Sequence, residues 1–184
     1  MFFAGLIVFF GTHLFTALAR GPREAAIRRL GAGLYKGAYA LVSLAGFALI
    51  VLGWNAAPTD ALYAPPPALR HVTYLFTALA MILLAAAYVP AGRIAVAVRH
   101  PMLAATKFWA FGHLLANGEV RSILLFGAFL VYAVIDRIAA KKRGDNGRPF
   151  KSPVGDVAAV VLGLGAWAAI YGWLHPAIAG VAVR

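Results

Sequence analysis

Imidazole is the group in this sequence with the most chemistry to offer. Histidine occurs five times, at positions 13, 71, 100, 113 and 175, and cysteine does not occur at all. The lack of thiols excludes disulfides, thiolate zinc sites, cysteine-ligated iron–sulfur clusters and cysteine nucleophiles. A neutral imidazole ligates metals and a charged one carries protons near neutral pH, so what each histidine can do depends on its surroundings. His71, His100 and His175 stand at the ends of long apolar runs, where an imidazole is usually solvated or hydrogen-bonded as a structural residue. His13 and His113 stand inside such runs.

An ionisable side chain within a bilayer is costly, which makes each of these two a functional-site hypothesis. At 1.5 Å of helix per residue, His13 lies roughly 10 Å before Arg20, and His113 lies roughly 16 Å beyond Met102. Those distances, measured from the same side, place both near the middle of a membrane on different helices. Two such imidazoles can hold a haem iron from both sides. Each can also hydrogen-bond a neighbouring helix, worth about 1 kcal/mol. Trp109 and Asn117, one turn either side of His113, share its face and could pack against a macrocycle and orient a ligand, or form a packing seam. Lys107 is near enough to the helix end to snorkel, or with Arg99 and Arg20 could meet haem propionates.

The elements that must position these groups follow from composition. Of 184 residues, 62% are hydrophobic and 12% charged, against roughly 45–50% and about 25% in soluble domains. A soluble fold of this length has too much surface for so few charges, and disordered and collagen-like chains are excluded as well. The net charge of +11 is distributed between apolar runs, the pattern of membrane loops beside an anionic leaflet and not of a nucleic-acid face. The expected fold class is all-α, a polytopic transmembrane helical bundle of about six spans forming a single domain over residues 1–184. The spans are placed at 2–19, 37–57, 72–89, 102–117, 122–140 and 157–174, each near the roughly 20 residues that a bilayer needs. Residues 57–67, with three consecutive prolines, form an ordered outer loop.

Charge sets the expected orientation. Arg20, Arg23, Arg28, Arg29 and Lys36 follow the first span. Arg93 and Arg99 follow the third, and Arg137, Lys141, Lys142, Arg143, Arg148 and Lys151 follow the fifth. Arg70, Arg121 and Arg184 are left for the opposite side. The positive-inside rule makes 20–36, 90–101 and 137–153 cytoplasmic loops and puts both termini outside. The first span has no preceding basic residue and arginines directly after it, the reverse of a signal peptide, and is read as a retained helix.

Several stretches together carry a resemblance to a family. Leu30-Gly31-Ala32-Gly33-Leu34-Tyr35-Lys36-Gly37, Pro65-Pro66-Pro67-Ala68-Leu69-Arg70-His71, Val98-Arg99-His100-Pro101-Met102 and Trp109-Ala110-Phe111-Gly112-His113 resemble the NnrU family of bacterial membrane proteins. The resemblance runs from the first span to Leu174-His175-Pro176. It implies an inner-membrane protein linked to nitrite and nitric oxide reduction. It also implies kinship with the plant 15-cis-ζ-carotene isomerase, a haem b enzyme acting on an apolar polyene. Carried over, that enzyme's haem histidines fall on His13 and His113. Its cysteine three residues before the second histidine is Ala110 here, so thiolate ligand exchange is impossible.

Two other classes compete. Arg99-His100-Pro101 resembles the motif of isoprenylcysteine and phospholipid methyltransferases, which bind S-adenosylmethionine. The supporting tyrosine and glycine positions are Leu103 and Ala105, and the nearest carboxylate, Glu119, belongs to the opposite side. A non-enzymatic membrane assembly factor would have similar helices. No catalytic residue follows from the sequence.

Overall fold

A computed structural model of the protein describes residues 1–180. Arg184, one of the expected outer cations, lies outside the described residues. The helices are α1 (Phe2–Leu18), α2 (Arg20–Leu30), α3 (Ala32–Gly53), α4 (Leu69–Tyr88), α5 (Arg93–Val98), α6 (Pro101–Ala116), α7 (Val120–Lys142) and α8 (Val154–Ala169). A π turn at Ile170–Leu174 leads from α8 into a short α9, His175–Ala179. Among the described residues the one extended pairing is an isolated bridge between Ala61 and Glu119. The chain is an all-α membrane protein.

Each apolar run expected to span has become a helix, but not all six meet the length a bilayer asks for. Ala32–Ala56, Leu69–Tyr88, Val120–Lys142 and Val154–Ala179 are long and apolar enough to cross, and a fifth is added only if α1 and the bent α2 are counted as one span. The 16 residues of α6 span about 24 Å, short of a core about 30 Å thick. The cause is local: Pro101 starts this helix, and the chain leaves helical geometry before Gly118.

Residues 20–36, expected as a loop, are largely helical. At Ala19 the backbone turns to φ −93°, ψ 62°, and α2 sets off at 95° to α1. No residue of α2 is buried, and it carries Arg20, Arg23, Arg28 and Arg29.

Two compact units divide the chain: Met1–Ala64 with Asn117–Gly144, and Pro65–Ala116 with the segment from Asp145 onward. In the first, α1 packs against α3 and α7. An apolar cluster of Phe2, Ile50 and Ala57, joined by Leu6, Phe9, Trp54 and Leu125, fills the end near Met1. The loop after α3 is tied to the start of α7. The Leu62 N–H donates to Gly118 (2.8 Å), and the N–H of Val120 donates to Asp60 (2.9 Å). Arg121 pairs with Glu119 at 2.8 Å and lies 4.8 Å from the centre of the Trp54 ring.

Close helix approach in this unit depends on small residues, as expected where lipid offers no hydrophobic drive and packing does the work. A Cβ at Gly46 would stand 2.7 Å from the backbone nitrogen of Phe9. Gly46→Leu is therefore expected to push α1 and α3 apart and cost about 1–3 kcal/mol. Thermal unfolding in detergent checks this, with Gly11→Ala as control, since a Cβ at Gly11 meets nothing within 4 Å.

In the second unit α4 packs against both α6 and α8. Buried alanines at 80, 86, 105, 110 and 159 let these helices close up. Polar clasps fix their register: the Thr73 hydroxyl donates to the Gly112 carbonyl at 2.9 Å, and the Trp167 indole donates to the Thr77 hydroxyl at 3.0 Å. The Asp156 carboxylate accepts the backbone N–H groups of Arg93 (2.8 Å) and Ile94 (2.9 Å), satisfying donors that the start of α5 would otherwise leave open.

Candidate functional site

His13 lies one turn before the end of α1, within the first unit. Its Nδ1 lies 2.7 Å from the carbonyl oxygen of Phe9, one turn back. A carbonyl only accepts, so Nδ1 carries a proton, and in the neutral ring Nε2 is then the nitrogen that holds the lone pair. The ring is enclosed by aromatic groups: Phe9 at 4.2 Å between centroids, and Tyr39 of α3 and Tyr132 of α7 each at 5.5 Å. Tyr132 donates its hydroxyl to Asp136 at 3.3 Å. Asp136 in turn faces Arg143 at 3.8 Å, and Arg143 donates to the Ala17 carbonyl at 3.1 Å.

His113 is built on the same local plan in the second unit. Its Nδ1 lies 2.8 Å from the carbonyl of Trp109, again one turn back. The indole and imidazole centroids are 5.1 Å apart. Both histidines thus end an aromatic-x-x-x-His stretch whose first residue supplies the carbonyl that sets the tautomer. Metal-ligating histidines typically have such a bond at the other ring nitrogen. His113 stands three residues from the end of α6, whose bounds match the expected fourth span to within one residue.

The profile of the family described as NnrU protein matches residues 1–183. The chain belongs to the NnrU family. No curated protein and no solved structure matches it.

In this NnrU-family chain the other residues singled out from sequence fall in different surroundings. Trp109 is against His113. Asn117 is past the end of α6 and belongs to the first unit, where its carbonyl accepts the Tyr63 hydroxyl at 3.0 Å. Lys107 is half-buried on α6, about 9 Å along the axis from His113. Arg99, with φ 63°, closes α5 and donates to Asn146 at 3.4 Å. Its neighbour His100 is hydrogen-bonded through Nε2 with the Asp145 carbonyl at 3.1 Å. The loop following α7's unit is thus what Arg99 and His100 hold, a structural use of the Arg-His-Pro stretch.

Sequence reasoning passed over several residues around the two histidines of this NnrU-family chain. Tyr39 and Tyr132 looked like ordinary span residues, and nothing local marks them as neighbours of His13. Arg137 was read as a membrane boundary, yet its Nη1 is buried with no hydrogen-bond partner among the described residues. A buried guanidinium nitrogen of this kind is suited to pairing with a carboxylate. In the second unit His175, expected at the interface, begins the short α9. The π turn just before it presents Tyr171, stacked on Trp167 at 5.1 Å and edge-on to Tyr74 at 5.1 Å. A π turn inside a helix is a signal of function that no apolar periodicity reveals.

Proposed function

We propose that this NnrU-family membrane protein binds haem b, with His13 and His113 as its iron ligands. The observation that carries the reading is the shared tautomer: each Nδ1 is committed to the carbonyl four residues back, so each Nε2 is the nitrogen suited to a metal. The donor chemistry fits the group, since uncharged imidazoles in apolar, aromatic surroundings are established haem ligands. Haem iron, when bound, supplies reversible ligation of nitric oxide and one-electron transfer. The chain's own residues orient and shield: Phe9, Tyr39 and Tyr132 keep water from one imidazole, and Trp109 stands beside the other. Arg137 and Lys107 are the cations suited to propionates. Between the two activities implied by resemblance, handling of nitric oxide is favoured over polyene isomerisation. Ala110, fully buried, stands where the isomerase has its cysteine and offers no side-chain donor. The test is the absorption spectrum of detergent-purified protein from haem-sufficient cells. A low-spin haem spectrum is expected, and a colourless protein would overturn the reading.

The same proposal includes residence in the bacterial inner membrane with both termini outside the cytoplasm, supported by the basic residues of α2, α5 and the end of α7. Reporters inserted at Gly21 and Gly144 are expected to read cytoplasmic, and one fused after Arg184 external. A cytoplasmic C-terminus would mean an odd number of spans.

A further inference from the structure

The first unit contains a cavity of about 310 Å³ where α1 ends and α7 ends. Its lining is divided chemically. Leu18, Ile135 and Ile138 supply an apolar wall, and Arg20, Lys142 and Arg143 supply three cations. Leu18 and Ile138 are 59% and 50% exposed, so the apolar wall opens outward and is not part of a packed core. Arg143 is partly engaged by Ala17 and Asp136, while Arg20 and Lys142 are exposed.

Geometry brings these two halves to one level. The 95° turn at Ala19 takes the chain out of the direction of α1 at once after Leu18. If α1 runs across the bilayer, α2 runs along its surface, and Arg20 stands at the corner. An eleven-residue helix with no buried residue and four arginines is an interfacial element, attracted to anionic headgroups. The N-terminus of α2 has no side-chain cap, and its positive end is directed toward the same corner. A free anion would need only the cations, whereas the apolar wall beside them matches the acyl chain of an amphiphile.

From this we infer that the corner between α1, α2 and α7 is a binding site for one anionic phospholipid. Its phosphate is held by Arg20 and Lys142 with Arg143, and its first acyl carbons lie along Leu18 and Ile138. The site is independent of the haem reading and is tested without it.

Native mass spectrometry of the full chain from a neutral detergent, titrated with phosphatidylglycerol or phosphatidylcholine, reads occupancy directly. One phosphatidylglycerol is expected to stay bound, with phosphatidylcholine lost. Arg20→Gln/Lys142→Gln should weaken phosphatidylglycerol by about thirtyfold, two surface cations' worth. Arg28→Gln/Arg29→Gln, which removes the same charge from α2 outside the cavity, should leave it near wild type. Arg20→Lys/Lys142→Arg, which keeps the charges, should bind phosphatidylglycerol like wild type, and loss of binding in this variant too would overturn the role given to the two charges. Equal binding of the two lipids, an unaffected Gln variant, or equal losses in the two Gln variants would overturn the proposal. So would displacement of phosphatidylglycerol by inorganic phosphate, which would make this a free-anion site.

Discussion

Purified His113→Ala and His13→Ala proteins are each expected to lose the low-spin haem spectrum of the wild type, through five-coordination or loss of haem. Each imidazole is locked at Nδ1 by a carbonyl of its own helix, at 2.8 Å and 2.7 Å. Ring orientation is therefore preset, and what the substitution removes is the metal-binding nitrogen itself. A backbone carbonyl cannot be deleted by mutation, so changing the side chain four residues back should leave ligation intact. Trp109→Leu is expected to keep the low-spin spectrum with a shifted band, and so is His71→Ala, whose ring meets Tyr74 at 6.0 Å at the start of α4. A small-residue variant also permits rescue. Free imidazole added to His113→Gly should restore low-spin iron, something that a purely structural role for His113 would not produce. Nitric oxide should displace one imidazole from ferrous iron. An unchanged spectrum in both alanine variants would end the proposal, and His175→Ala decides whether the nearby imidazole of the second unit is the ligand instead of His113.

The second large effect concerns stability. Arg148, in the loop after α7, donates from Nη1 to the Ala87 carbonyl at 2.6 Å and from Nη2 to the Val89 carbonyl at 2.8 Å. These carbonyls belong to the end of α4, where helical geometry leaves acceptors without internal donors. A cation there also opposes the negative end of the helix. Arg148→Ala is expected to destabilise by about 2–3 kcal/mol, the size of charge-assisted bonds lost from partly buried acceptors. Arg148→Lys should recover little, because one ammonium cannot span both oxygens as the planar fork does. Thermal unfolding in detergent reads both. A lysine variant as stable as wild type would show that charge alone matters.

Apolar length and charge spacing were enough to locate α1, α3, α4, α6, α7 and α8, because lipid forces backbone polar groups into helices whatever the side chains do. α2 was invisible to that test: its Arg-rich composition reads as loop, and only the direction of the chain at Ala19 shows it as a helix turned across α1. Of the residues in the proposed site, His13, His113 and Trp109 could be picked out from sequence since imidazoles in apolar runs are conspicuous. Tyr39 and Tyr132 could not, because they reach His13 from helices distant in the chain.

The interleaving of the two units has a consequence for biosynthesis. The first unit opens the chain, yet its third helix, α7, emerges from the ribosome only after α4, α5 and α6 of the second. The second unit in turn waits for α8. Neither can finish packing before the other has been started, so α1 and α3 must persist as an incomplete pair while foreign helices are inserted. Long-range closure of this kind slows folding. Arrest before α7 has left the ribosome should leave both units exposed to quality-control proteases, whereas arrest once α7 has emerged should spare the first.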